Sequence, residues 1–264
     1  MTRSAHTLAD VPVLKGRFPF RLGCTSFVLH ADLETNVRAL APLVDDIEAV
    51  VFESDETSPL PDRRTLDLMR SAAAEHRLTY TIHLPLDVRL ASSDRAERER
   101  ATAICRRVMD RMGEVGPLAY VAHLEGGDDV AARASLAELA QAAGDPSLVC
   151  VENLAAPTET LVRVAADAGV SLCLDVGHAV LDGWEGDELA DWIKRHQGPL
   201  RVVHVHGVAE GKDHRDASCL PEGALERIVR ALAVDASRPR VLTLEVFDEA
   251  EFARSVAAME ELAP

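Results

Sequence analysis

The chain has 264 residues, in which 28 lysines and arginines stand against 44 aspartates and glutamates, a formal net charge of −16. That balance disfavours a nucleic-acid groove, which depends on Lys and Arg neutralising phosphates, and a composition 47% hydrophobic and 27% charged excludes global disorder. The sequence has no run of about 18 apolar residues and no basic stretch followed by an apolar one at its start, so neither a membrane partner nor a secretory leader is expected. The five cysteines, Cys24, Cys105, Cys150, Cys173 and Cys219, are odd in number and form no CxxC pair, which fits a reducing cytoplasm. Cys24, Cys150 and Cys173 fall in apolar runs and read as buried small hydrophobes.

Residues 1–20 read as a loosely held N-terminal arm and 21–264 as a single domain, in which short apolar, β-rich runs alternate with longer runs of helical period. RLGCTSF from Arg21 precedes a helix near 32–43, DIEAVVFE from Asp46 one near 62–76, and LTYTIHL from Leu78 one near 93–113. LAYVAHL from Leu118 precedes 129–143, LVCVEN from Leu148 precedes 156–168 with Pro157 at its start, and SLCLDVG from Ser171 precedes 185–196. RVVHVHG from Arg201 leads through a polar connection, read as a functional loop, to 221–233 with Pro221 at its start, and RVLTLEVF from Arg240 leads to 248–262. Eight strand-then-helix units of about 30 residues, each strand apolar on both faces, predict the α/β class and a single parallel (β/α)8 TIM barrel. An open doubly wound sheet is the competitor, but FVLHADLE follows the first strand where that fold carries a glycine-rich phosphate turn.

In such a barrel the chemistry gathers at the carboxyl ends of the strands. His83 closes the third run, His123 the fourth, Glu152 the fifth, Asp175 with His178 the sixth, His204 with His206 the seventh, and Glu245 the eighth. Five of the ten histidines sit there, where an even scatter over about one-eighth of the chain would put about one. A lone histidine in an apolar run is most often a satisfied core residue. Carboxylates such as Glu152 and Glu245 differ, because an unpaired buried ion is costly. Arg21 and Arg201 lie at the amino ends of their runs, so a divalent metal is the natural partner for Glu152, Asp175 and Glu245, with imidazole nitrogens completing its shell. The ligand set exceeds the roughly four that one zinc needs. The surplus argues for two or three divalent ions, zinc or manganese, bridged by a carboxylate as in phosphoester cleavage.

Lys212, Asp213 and His214 in GVAEGKDHRD are candidates for a further metal or a phosphate oxygen, and a solvated charged loop is the plainer alternative. Glu53 in VVFES, Glu125 just past His123, and His206 are candidate substrate-binding groups. His6, His30, His76 and His196 fall on the arm or on helical segments and read as surface residues. The sequence shows neither a nucleophile elbow nor a phosphate-binding P-loop.

The succession TIHLP, VAHLEG, VENL, LDVGH, VHVHG and LTLEVF resembles the xylose-isomerase-like barrel superfamily that includes endonuclease IV, from about Arg21 to Leu262. In that endonuclease group, three zinc ions cleave a phosphodiester. The resemblance implies that His83, His123 and Glu152 hold one ion, that Glu152 bridges to a second held by Asp175, His204 and Glu245, and that His178 holds a third with Asp213 and His214. Longer strings, among them RLGCTSFVLHADLETNVRALAPLVDDIEAVVFES, TYTIHLPLDVRL and RVVHVHGVAEGKDH, resemble the cobamide-remodelling phosphodiesterase family within that superfamily. This implies hydrolysis of the nucleotide-loop phosphodiester of an adenosylcobamide, leaving adenosylcobinamide phosphate and the base riboside. Glu152, Glu245 and Lys212 are then the expected catalytic groups.

The chain departs from the endonuclease IV pattern. Asp213 and His214 are adjacent where those relatives carry Asp-x-His, Gly207 replaces a polar residue, Leu124 replaces a proline, and an aromatic content of 4% leaves no DNA-gripping loops. The expected enzyme is thus a cytoplasmic, metal-dependent phosphodiesterase acting on a small molecule. The first alternative is a single-metal sugar isomerase or epimerase using Glu152, Asp175, His204 and Glu245; a catalytically silent barrel and a DNA-repair enzyme are others. Oligomeric state is left open by the sequence.

Overall fold

The computed structural model describes Leu8 and residues 11–51, 60–154, 158–234 and 240–264. Among these residues, strands β1 (Arg21–Thr25), β2 (Asp46–Val50), β3 (Thr79–His83), β4 (Ala119–Leu124), β5 (Val149–Asn153), β6 (Ser171–Asp175), β7 (Leu200–Val205) and β10 (Val241–Leu244) close into a parallel barrel. Strands β8 (Gly207–Ala209) and β9 (Lys212–Arg215) form an antiparallel hairpin. Around the barrel run α1 (Leu33–Leu40), α2 (Arg63–His76), α3 (Arg95–Met112), α4 (Asp129–Ala143), α5 (Thr158–Ala168), α6 (Val176–Leu181), α7 (Gly186–Arg195), α8 (Ala224–Leu232) and α9 (Glu249–Glu260). The expected TIM barrel is therefore the fold. The polar connection after His206 is the β8–β9 hairpin rather than an irregular loop, and α6 is a short helix not expected from the sequence. Pro221 lies in the turn ahead of α8, where its carbonyl accepts from Ala224 N at 2.9 Å.

Several helices start at an aspartate that closes the preceding loop. The carboxylates of Asp32, Asp62, Asp94, Asp128 and Asp248 accept from first-turn N–H groups of α1, α2, α3, α4 and α9. Each satisfies amides that would otherwise lack partners and places negative charge at the positive end of the helix dipole.

The period-2 alternation of the strands sorts side chains between the lumen and the helical layer. In β4, Tyr120, Ala122 and Leu124 belong to the main core beneath the helices, while Ala119 and Val121 join Cys150, Cys173 and Val202 in a separate buried cluster. His123, Glu152, Asp175 and His204 continue the lumen positions of β4, β5, β6 and β7, and register pairs His123 with Glu152 and Asp175 with His204. Lower on the other side, Asp46 accepts from Thr79 Oγ1 at 2.6 Å and Thr81 Oγ1 at 2.7 Å. All five cysteines are free thiols, and burial pushes Cys105 and Cys150 up to about 12. Neutral thiols of this kind behave as small hydrophobes.

Residues 11–20 are not loosely held. Val11, Leu14, Phe18 and Phe20 are buried, and the Phe18 and Phe20 rings stack at 5.1 Å beside the amino end of β1. Gly16 N donates to Asp45 Oδ1 at 3.1 Å, and Lys15 Nζ donates to the carbonyls of Ala41 and Val44 at 2.9 and 2.5 Å. The segment closes the amino end of the barrel because VLKGRFPF alternates apolar anchors with residues that bond the α1–β2 connection. Leu14→Ala should lower unfolding stability by about 2–5 kcal/mol through an unfilled cavity, as measured by urea denaturation; a loss within experimental error would show that this segment does not belong to the core.

Candidate metal centre

Strand alternation delivers the site to the carboxyl end of the barrel. Glu152 on β5 is its centre: His83 Nε2 lies 3.1 Å and His123 Nε2 3.6 Å from Glu152 Oε2, while His204 Nδ1 lies 3.4 Å from Glu152 Oε1. The same His204 Nδ1 is 3.5 Å from Glu245 Oε2 and 4.0 Å from Asp175 Oδ2. His206 Nε2 lies 3.1 Å from Asp175 Oδ1 and 3.9 Å from Glu245 Oε2. Among the described residues, the ion-pair partners of Glu152, Asp175 and Glu245 are all histidines.

Two local devices aim the remaining imidazoles. Asp175 caps α6, accepting from His178 N at 2.6 Å, and so brings His178 Nδ1 to 3.7 Å from its own Oδ1. The β8–β9 turn carries Glu210 and Gly211 at positive φ, and His214 on β9 shares that backbone. His214 at φ +50° is a strained backbone of the kind found at functional sites. There its N–H donates to His206 Nδ1 at 3.0 Å, and the two rings lie 4.3 Å apart.

Among the groups of donor atoms within 4.8 Å of one another, three run along the site: His83, His123 and Glu152; Glu152, Asp175, His204 and Glu245; and His178, His206 and His214, the last approached by Asp175 through His178 and His206. Glu152 belongs to the first two. The buried atoms His123 Nδ1, Glu152 Oε1, His178 Nδ1, His204 Nδ1, Glu245 Oε2 and Glu48 Oε1 have no hydrogen-bond partner. Buried donors and acceptors are rarely left so, and these six belong to the donor groups, whereas a seventh, Glu125 Oε2, lies apart beside Ala91. Imidazoles and carboxylates at this spacing are the chemistry of zinc and manganese sites, so the residues present fit divalent ions. A further grouping, Glu152–Cys173–His204, fits less well, because burial holds the Cys173 thiol far above the range in which it becomes a thiolate ligand.

The electrostatics are those of a cation site. Burial pulls His123 down to about 4, which leaves it neutral at physiological pH. Burial raises Glu245 well above the usual carboxylate range, and repulsion from Asp175 and Glu152 adds to this, against the attraction of His204. Burial also opposes the charged forms of Glu152 and Asp175, but neighbouring imidazoles outweigh it and hold both carboxyls low.

His83, His123, Glu152, Asp175, His178, His204, Glu245, His214 and His206 are thus brought together, with His206 fully buried and grouped with His178 and His214 rather than in an open position. Asp213 is exposed and absent from the three groups; its Oδ2 reaches only His214 Nε2, at 3.9 Å. Lys212 is exposed on the hairpin. Glu125 turns to Ala91 N at 3.2 Å and lines a small cleft with Ala132 and Thr160. Glu53, like His6 and Pro157, lies outside the described residues. The sequence reading missed Glu48, a fully buried carboxylate on β2 that meets His204 Nε2 at 3.0 Å. Its signal was present in DIEAV, where two acids two residues apart share the lumen face.

Gly177 at the start of α6 leaves room for the His206 ring: a Cβ there would lie 1.9 Å from His206 Cε1. Gly177→Ala must displace that ring, so we expect one ion fewer per chain by elemental analysis, with the circular dichroism of the barrel unchanged. Unaltered metal content would remove His206 from the centre.

Residues 42–262 match the family model described as xylose isomerase-like TIM barrel. Similar solved structures include endonuclease IV from Thermus thermophilus, at 20% identity and a TM-score of 0.73 over 91% of this chain and 99% of that one. The D-psicose 3-epimerase from Clostridium cellulolyticum H10, solved with D-tagatose, is 17% identical with a TM-score of 0.71 over 92% and 98% of the two chains. The 3-keto-D-glucoside 4-epimerase of E. coli is 15% identical with a TM-score of 0.66 over 92% and 99%. No curated protein sequence matches the chain.

Proposed function

The chain belongs to the xylose isomerase-like TIM barrel family, and within that family we propose that it is a metal-dependent phosphodiesterase that hydrolyses the nucleotide-loop phosphodiester of adenosylcobamides. The observation that carries the hydrolase reading is the linking of three donor groups through Glu152 and Asp175. A single-ion enzyme needs only Glu152, Asp175, His204 and Glu245. The additional pair His83 and His123, and the additional trio His178, His206 and His214, fit a centre for two or three ions. The cobamide substrate rests on the resemblance of the strings from Arg21, Thr79 and Arg201 to that family.

Bound divalent cations supply Lewis-acid polarisation of a phosphoryl oxygen and activation of water. The chain supplies the frame. Glu152 offers one oxygen towards His83 and His123 and the other towards His204, so a single carboxylate ties two donor groups together. Glu245 is the carboxyl best able to hold a proton at the centre. Lys212, exposed at the rim on β9, offers an ammonium to a departing ribose oxygen. We place His206 with His178 and His214 as a third donor set, and leave Asp213 on the solvent side of the hairpin.

The test is incubation with adenosylcobalamin and with an adenine-containing cobamide, plus zinc or manganese, followed by product separation. Adenosylcobinamide phosphate and the base riboside are expected; their absence with both substrates overturns the reading. The second reading, a sugar epimerase, is favoured by the Glu152–Asp175–His204–Glu245 group alone, which fits one ion. D-Fructose and an abasic-site DNA duplex in parallel reactions distinguish epimerase and endonuclease activities from the proposed one.

A further inference from the structure

We infer that Glu48 is a positioning residue that fixes His204 in the tautomer whose Nδ1 faces Glu152, Asp175 and Glu245. The inference rests on the metal-centre reading above and is independent of which reaction the centre runs. Glu48 projects from β2 across the lumen to β7. Its Oε2 lies 3.0 Å from His204 Nε2 and accepts from Thr243 Oγ1 at 3.3 Å, while Thr81 Oγ1, whose proton goes to Asp46 Oδ1 at 2.7 Å, lies at the same 3.3 Å. Threonine side chains on β3 and β10 therefore flank the carboxylate, and the one on β10 donates to it.

An ionised carboxylate only accepts hydrogen bonds, so the proton in the Glu48–His204 contact belongs to Nε2. In the neutral ring Nδ1 then keeps its lone pair. That atom has no hydrogen-bond partner, although His204 and Glu48 are both 0% exposed. It points at Glu152 Oε1, Glu245 Oε2 and Asp175 Oδ2, the oxygens with which it shares a donor group. The opposite tautomer would set the Nε2 lone pair against the Glu48 carboxylate in a buried site, an arrangement that buried polar groups avoid. Outer hydrogen bonds of this kind orient metal-binding imidazoles and raise their basicity.

A competing role comes from the same residue, since Glu48, His83 and His204 also place donor atoms within 4.8 Å and Glu48 Oε1 has no partner. In that role Glu48 would itself be a ligand. Two measurements separate the roles. In zinc-loaded protein labelled with ¹⁵N-histidine, the His204 ring, assigned by comparison with His204→Gln, should show a metal-shifted Nδ1 and an exchange-protected Nε2–H. Glu48→Gln retains an acceptor oxygen, so that signature and the full zinc content should both persist. Glu48→Leu should weaken zinc binding by about 10- to 100-fold in competition with a chromophoric chelator.

Ligation of His204 through Nε2 overturns the inference, and the wild-type spectrum decides this even if Glu48→Leu fails to fold. Loss of an ion from Glu48→Gln makes Glu48 a ligand and also overturns it, as does unchanged affinity in a folded Glu48→Leu. A wild-type protein that takes up no divalent ion overturns the metal-centre reading as a whole, whereas ions held with the wrong tautomer overturn only the role of Glu48.

Discussion

Glu152→Gln should lower phosphodiester hydrolysis by about 10³-fold or more, equal to about 4 kcal/mol of lost transition-state stabilisation, while the circular dichroism spectrum stays that of the wild type. The carboxylate stands 3.1 Å from His83, 3.6 Å from His123 and 3.4 Å from His204, so it is shared by two donor groups. An amide in its place keeps the volume but loses the charge and one acceptor. Both neighbouring ions should therefore be weakened together. The measurement is kcat under saturating metal, read beside metal content. A variant with wild-type rate would remove Glu152 from the chemistry, and one that lost a single ion while keeping the other at full affinity would deny it a bridging role.

Chelation should cost stability as well as activity. Glu48, Glu152, Asp175 and His204 are fully buried, and Glu245 nearly so. Without cations the like charges of these acids are offset only by imidazoles. A ligand present at about 1,000 times its Kd adds about 4 kcal/mol to folding. For a chain of this size, that corresponds to a fall in Tm of about 10 °C on treatment with a strong chelator. Zinc or manganese should restore it, and an unchanged Tm would contradict a buried cation site. The sign of the pH dependence follows from the protonation states. Burial, reinforced by Asp175 and Glu152, favours a proton on Glu245, and the surrounding acids outweigh burial to favour one on His204. Cations must displace these protons, so uptake releases acid and the stabilisation by metal grows as pH rises.

The strands were legible because each is buried on both faces and so reads as a continuous apolar run. The ionisable residues at their ends were legible because polar groups interrupt those runs where barrel chemistry gathers. Other features depended on geometry that spacing does not carry. Helix α6 has six residues, too few to show a helical period. The β8–β9 hairpin turns on Glu210 and Gly211 at positive φ inside a polar string that reads equally as loop. Glu48 lies in the middle of β2 rather than at its end, and its role appears only when the closed barrel brings β2 opposite β7. Asp213 and His214 are neighbours in sequence, yet Asp213 stays exposed while His214, at its positive φ, joins His178 and His206. The segment Val11–Phe20 read as a loose arm because its apolar residues are spaced among Lys, Gly, Arg and Pro, but those apolar residues are the ones that cap the barrel.

The formal charge of −16 also changes meaning in the folded chain, because Glu152, Asp175 and Glu245 sit among imidazoles in the lumen rather than on the surface. The most direct test of the metal centre is elemental analysis of protein equilibrated with zinc or manganese and freed of loosely bound metal. Two or three tightly held ions per chain are predicted, and no more than one would contradict a centre linked through Glu152.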